Sequence, residues 1–169
     1  MAASKALAEF VAGLRYQDLP AAVTERARLC VMDWLGCVLA ARPVEVSSVL
    51  RRLAQAMGGG SGATLLAFGE PASPFVAALV NGAMAHVVEM DDIDKDSIFH
   101  PAAPIVAAAA AAAEATGCYG DAFVAGVVAG YEVATRIGRA VNPSHYRFWH
   151  TTATVGTLGA AVSAGKVLG

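Results

Sequence analysis

The chain has 169 residues, with 12 Lys and Arg against 14 Asp and Glu, a formal net charge of −2, and 56% hydrophobic residues. That balance gives no basic footprint for nucleic acid or an anionic membrane surface, and no Lys/Arg stripe interleaved with aromatics occurs. Charged residues make up 15% of the chain, against about 25% in an ordinary soluble domain, so a partner, a second copy or further sequence is expected to cover much of the surface.

Much of the apolar excess is alanine, and no run of about 20 residues escapes Gly, Pro, Asn, His or charge, which argues against a membrane span. The opening MAASKALAEFVAGLRY lacks the apolar core and cleavage site of a secretory signal. Cys30, Cys37 and Cys118 are odd in number and sit in apolar helical patterns, so they read as reduced core thiols of a cytoplasmic protein.

In chain order, Ser4 can cap a helix over 5–14. Pro20 sits at a favoured first helical position and opens a longer helix to about Ala41. Its apolar stripe, Val23, Ala27, Cys30, Val31, Trp34 and Val38, follows helical spacing, with Glu25, Arg26 and Arg28 mostly off it. After Pro43 a helix runs over 45–57, and GGGSG at 58–62 breaks the chain. The following ATLLAFG is the one strand-like stretch, too short to support a sheet alone. Ser73-Pro74 opens a helix to about Met90. Pro101 opens an Ala-rich helix ending near Gly117, and Asp121 is the N-cap candidate of the next, which Asn142-Pro143 stops. A last helix starts near His150-Thr151. The expectation is an all-α bundle, one helical domain over 1–169, whose Ala- and Gly-lined helices pack at short interaxial distance.

The residues 89–96 hold five of the fourteen acidic side chains, Glu89, Asp91, Asp92, Asp94 and Asp96, between two apolar segments. Calcium is a poor fit. Asp92, Asp94 and Asp96 begin a D-x-D-x-D pattern, but Ser97 and Ala103 stand where an EF-hand needs Gly and a bidentate Glu. His86, Glu89 and His100 are imaginable zinc ligands without the spacing of a zinc site, so no metal is expected. GGGSGAT lacks the Gly-Lys-Ser/Thr of a phosphate loop. The informative pair is His100, ahead of Pro101, and His150, at the start of the last helix. The positive end of a helix dipole disfavours the imidazolium and suits an anionic ligand. Glu89, Asp91 and Asp92, by contrast, fall where a helix ends, unfavourably placed with respect to its dipole. Arg136, Arg139 and Arg147 are candidates for gripping substrate carboxylates.

The stretches NGAMAHVVEMDD…HPAAP, VAGYEVATRIGRAV and SHYRFWHTTATVGTLGAA resemble the MmgE/PrpD family across essentially the whole chain. The resemblance implies a large helical domain, of which this chain corresponds to the first part, plus a smaller α/β domain, usually in a homodimer. It implies cofactor-independent acid–base chemistry (dehydration, decarboxylation or epimerisation) on small di- or tricarboxylates. On that pattern the family's acidic cluster falls on Glu89, Asp91 and Asp92 and its histidines on His100 and His150. His100, His150, Glu89 and Asp92 are the expected catalytic groups, and Asp91 and Thr151 join the three arginines proposed above as expected substrate contacts. Two positions depart from it: members such as the decarboxylase have Asp at 89 and Thr at 93, where this chain has Glu and Ile. The family's catalytic Lys and Tyr fall beyond residue 169, so a fragment, a split subunit completed by a complementary chain, or a reduced homologue is expected. A non-catalytic interaction subunit and a small stand-alone isomerase or cyclase remain the alternatives.

Overall fold

A computed structural model describes residues 2–169, which form seven α-helices and one two-stranded sheet. In order these are α1 (Ala2–Gly13), α2 (Ala21–Ala40), α3 (Glu45–Ala56), β1 (Ala63–Leu65), β2 (Glu70–Ala72), α4 (Pro74–Val87), α5 (Ala102–Thr116), α6 (Asp121–Val141) and α7 (Thr151–Leu168), with 3₁₀ turns at Tyr16–Asp18 and His145–Arg147. The all-α expectation holds. No helix among the described residues is long and apolar enough to cross a membrane.

Helix α5 is the axis of the bundle. Ala102, Ala103, Ile105, Val106, Ala107, Ala109 and Ala111–Ala113 are all buried, against α4, α6 and α7. Such a sequence buries few carbons per residue, so close approach of backbones has to supply the packing. The glycines of the neighbouring helices permit it. A Cβ on Gly130 of α6 would stand 2.9 Å from the Gly159 carbonyl oxygen of α7 and 2.7 Å from the Ile105 side chain.

Several boundaries differ from the sequence reading. Helix α1 begins before Ser4, because Ala2 and Ala3 are themselves helix formers, so Ser4 is a helical residue and not a cap. Helix α4 stops at Val87, not Met90: Glu89 takes a left-handed φ of 53° that no α-helix continues through. Gly120, with φ of 66°, caps α6, and Asp121 is its first residue. Of the strand-like stretch only Ala63–Leu65 is strand, because the chain turns and pairs antiparallel with Glu70–Ala72. Asn81 of α4 fastens this hairpin, accepting from the Leu66 N–H (3.0 Å) and donating to the Thr64 carbonyl (2.8 Å). Cys37 is buried and Cys30 half-buried, but Cys118 is exposed in the α5–α6 turn and is no core thiol.

Candidate active site

The acidic turn closes on itself between α4 and α5. Asp94 and Phe99 form an antiparallel bridge, with Asp94 N–H to Phe99 O at 2.9 Å and the return bond at 3.3 Å. Two side-chain-bearing residues have positive φ here, Glu89 (53°) and Ile98 (48°). For a β-branched residue such as Ile98 this conformation is costly, and the surrounding contacts must hold it.

Asp91 is the centre of the site, with no exposed side-chain surface. His86, in the last turn of α4, places Nδ1 at 2.9 Å and 3.1 Å from the two Asp91 oxygens. His100 approaches the same carboxylate from the start of α5, Nδ1 to Oδ1 at 3.5 Å. That approach lacks hydrogen-bond geometry, so His100 Nδ1 is buried without a hydrogen-bond partner. The His86 and His100 rings meet edge-on with centroids 4.9 Å apart, and the His150 ring stacks with His86 at 6.2 Å. Tyr146 flanks His150, also at 6.2 Å. His86 and His100 are half-buried and His150 is exposed, so the cluster is open on the α7 side.

Asp92 does a different job. One oxygen accepts the Ala102 N–H (2.9 Å) at the start of α5, and the other accepts the Tyr131 hydroxyl of α6 (2.8 Å). A carboxylate ill-placed for the C-terminus of α4 is thereby well placed for the N-terminus of α5. Burial pushes the Asp92 carboxyl upward, opposed by these two hydrogen bonds. Burial, with the Asp92 charge next, pushes the Tyr131 hydroxyl far up, so it stays a donor. Burial likewise raises the Cys30 thiol, with the charge of Asp92 the second cause.

Of the residues expected at the site, the structure gathers His100, His150 and Asp91. Glu89 is exposed, and both oxygens of Asp92 are committed as described. Arg139 is paired with Asp94 (3.0 Å) and Asp96 (3.7 Å), and Arg136 with Glu132 one turn before it. Arg147 is exposed on the second 3₁₀ turn. Thr151 is fully buried, its hydroxyl bonded to Asn142. His86 entered the sequence reading only as an imaginable zinc ligand with Glu89 and His100, and its pairing with Asp91 had no local signal. Thr152, whose hydroxyl accepts the His100 backbone N–H at 3.1 Å, gave no signal at all.

The donor atoms of His86, Asp91 and His100 lie within 4.8 Å of one another, a two-imidazole, one-carboxylate set that a divalent transition metal accepts. The same groups can act as an acid–base cluster, in which the buried carboxylate holds the His86 ring by hydrogen bonds and lies 3.5 Å from His100.

The chain is 27% identical over 171 residues to a cis-aconitate decarboxylase of Aspergillus terreus, covering 96% of this chain and 35% of the relative. It is 27% identical over 172 residues to a cis-aconitate decarboxylase-like protein, oryM, of Aspergillus oryzae, covering 96% of this chain and 36% of that protein. The chain thus spans about a third of the length of the curated relatives it matches. Residues 5–169 match the MmgE/PrpD N-terminal domain, and the chain belongs to the MmgE/PrpD family.

Proposed function

We propose that this chain supplies the histidine half of a lyase site acting on a small di- or tricarboxylate, without a cofactor. The observation that carries the reading is the gathering of His86 and His100 beside one fully buried carboxylate, with the His150 ring stacked on His86. In this reading the Asp91 carboxylate, 3.5 Å from His100 Nδ1 and not hydrogen-bonded to it, favours hydrogen on that nitrogen through its charge and leaves Nε2 as the base. In a dehydration, His100 removes the proton α to a carboxylate and His150 protonates the departing hydroxyl. In a decarboxylation, the carbon–carbon bond to CO₂ breaks, the electron pair delocalises into a remaining carboxylate, and an imidazolium delivers the proton to carbon. Each positioned acid or base contributes about 10²–10⁴-fold. The names of the relatives favour cis-aconitate and decarboxylation as the first substrate and reaction to test.

Stabilising the developing enediolate needs cations or N–H donors, and Arg136 and Arg139 are already engaged by acidic side chains. Arg147 on the open side, together with groups from a homodimer partner or a complementary chain, fills that need in this reading. Exposed apolar rows on α2 (Leu29, Met32, Leu35, Leu39) and on α3 (Val46, Val49, Leu53) are surfaces for such added mass. The test is turnover of cis-aconitate, methylcitrate and an iminodicarboxylate by the complete protein that carries this domain. A fall of 10²-fold or more in both His100→Ala and His150→Ala is expected, and near-unchanged turnover in both rejects the reading.

The His86–Asp91–His100 donor set favours a second reading, metal-assisted lyase chemistry. Exhaustive chelation separates the two. Unchanged turnover fits the acid–base site, and loss restored by a single divalent metal replaces it.

A further inference from the structure

The two histidines assigned to proton transfer stand on different segments, His100 at the end of the acidic turn and His150 at the start of α7. Their relative placement requires a device that ties these segments together, and the end of α6 contains one. Asn142 caps α6, its N–H bonded to the Gly138 carbonyl. Its side-chain amide donates to the Ser97 carbonyl and to the Thr151 hydroxyl, the latter at 3.2 Å. Ser97 lies three residues before His100, and Thr151 directly follows His150. Both Ser97 and Thr151 are fully buried.

An amide nitrogen carries two hydrogens, and here one serves each histidine-bearing segment. The neighbouring contacts press the same pieces together. A Cβ on Gly138 would meet the Ser97 side chain at 2.6 Å, and Arg139 holds Asp94. The strained Ile98 lies between Ser97 and Phe99, so the clamp grips the turn next to its least comfortable residue. No other residue type of this size offers two donors on one atom: aspartate has none, and its charge would face the Ser97 carbonyl oxygen.

We propose that Asn142 is a positioning residue whose amide couples the His100 turn to the His150 helix and so sets the spacing of the two imidazoles. Its consequence for turnover rests on the acid–base reading above, but the positioning itself does not. A misplacement of about 1 Å between reacting groups costs on the order of 10²-fold in rate, so the clamp affects kcat far more than KM.

The direct test uses the 169-residue chain with isotopically labelled histidine, comparing ring resonances and their pH titrations in the wild type, Asn142→Asp, Asn142→Ala and Thr151→Val. The expected result is that His100 and His150 signals move together in the Asn142 variants, with unchanged far-UV circular dichroism. Thr151→Val, which removes one arm only, moves His150 most and keeps the inference testable if both Asn142 variants fail to fold. Folded Asn142 variants, or a folded Thr151→Val, with both ring signals and titrations unmoved overturn the proposal. In the complete protein, Asn142→Asp is expected to lose about 10²-fold in kcat with KM changed less than about threefold. If His100→Ala and His150→Ala leave turnover intact while the Asn142 variants move both rings, the acid–base reading fails and the positioning role stands.

Discussion

Replacing Tyr131 with Phe removes one hydroxyl and leaves the ring in place. In the folded chain that hydroxyl donates to Asp92 at 2.8 Å, and the carboxylate's other oxygen is held by the Ala102 N–H. A hydrogen bond to a charged group contributes about 1.5–3 kcal/mol, and a chain of this size changes its midpoint by roughly 2–4 °C per kcal/mol. A midpoint lower by about 3–12 °C at pH 7 follows from those two ranges. The pH dependence makes the argument specific. Burial raises the folded carboxyl of Asp92 above its ordinary value of 3.8. Its contribution to stability is therefore fully present below that value and is lost as pH rises through the higher folded value. Tyr131 opposes the rise by favouring the ionised form, so its removal costs most where Asp92 is charged. Thermal melts of Tyr131→Phe and wild type at pH 4 and pH 7 should show the gap between them widening with pH. An equal gap at both values, or a gap below about 1 °C at pH 7, refutes the assignment of this hydrogen bond to a buried, ionised Asp92.

Two further predictions concern packing and thiols. Gly130→Ala should destabilise by about 1–3 kcal/mol, because its methyl meets the Ile105 side chain and the Gly159 carbonyl at the α6–α7 contact. Gly36→Ala, in the exposed interior of α2 with nothing within 4 Å, should stabilise by about 0.5–1 kcal/mol; denaturant unfolding of the pair checks both signs. Ellman's reagent at pH 7.5 should titrate exposed Cys118 rapidly, while Cys30 and Cys37, whose thiols burial pushes up, react slowly until the chain is unfolded. Rapid reaction of all three in the folded chain would contradict the packing of α2.

Much of the bundle was legible because it depends on local pattern. Pro20, Pro74 and Pro101 mark helix starts within a residue or two, and the Ala and Gly of α5–α7 announce close packing through their size alone. The pairing of Glu70–Ala72 with Ala63–Leu65 was not legible: Pro71 at its centre is a poor strand signal, and the hairpin is fastened by Asn81 from another helix. The site divides in the same way. His100 and His150 stand beside helix-start signals and could be found from them. Asp91 and Asp92 share one charged turn and look equivalent in sequence, yet one lies between imidazoles and the other clips α5 to Tyr131, 39 residues on. Arg139 reaches back 45 residues to Asp94, and Asn142 the same distance to Ser97. Side chains that act across such separations have no local pattern to betray them.

The most direct test of the account concerns the proton on two rings. Nitrogen-15 spectra of the histidine imidazoles, recorded in their neutral range, report which nitrogen of each carries hydrogen. If buried Asp91 orients both rings, His86 and His100 carry it on Nδ1 and leave Nε2 free, and Asp91→Asn disturbs both together. Nε2–H tautomers in both rings, indifferent to that substitution, would contradict it.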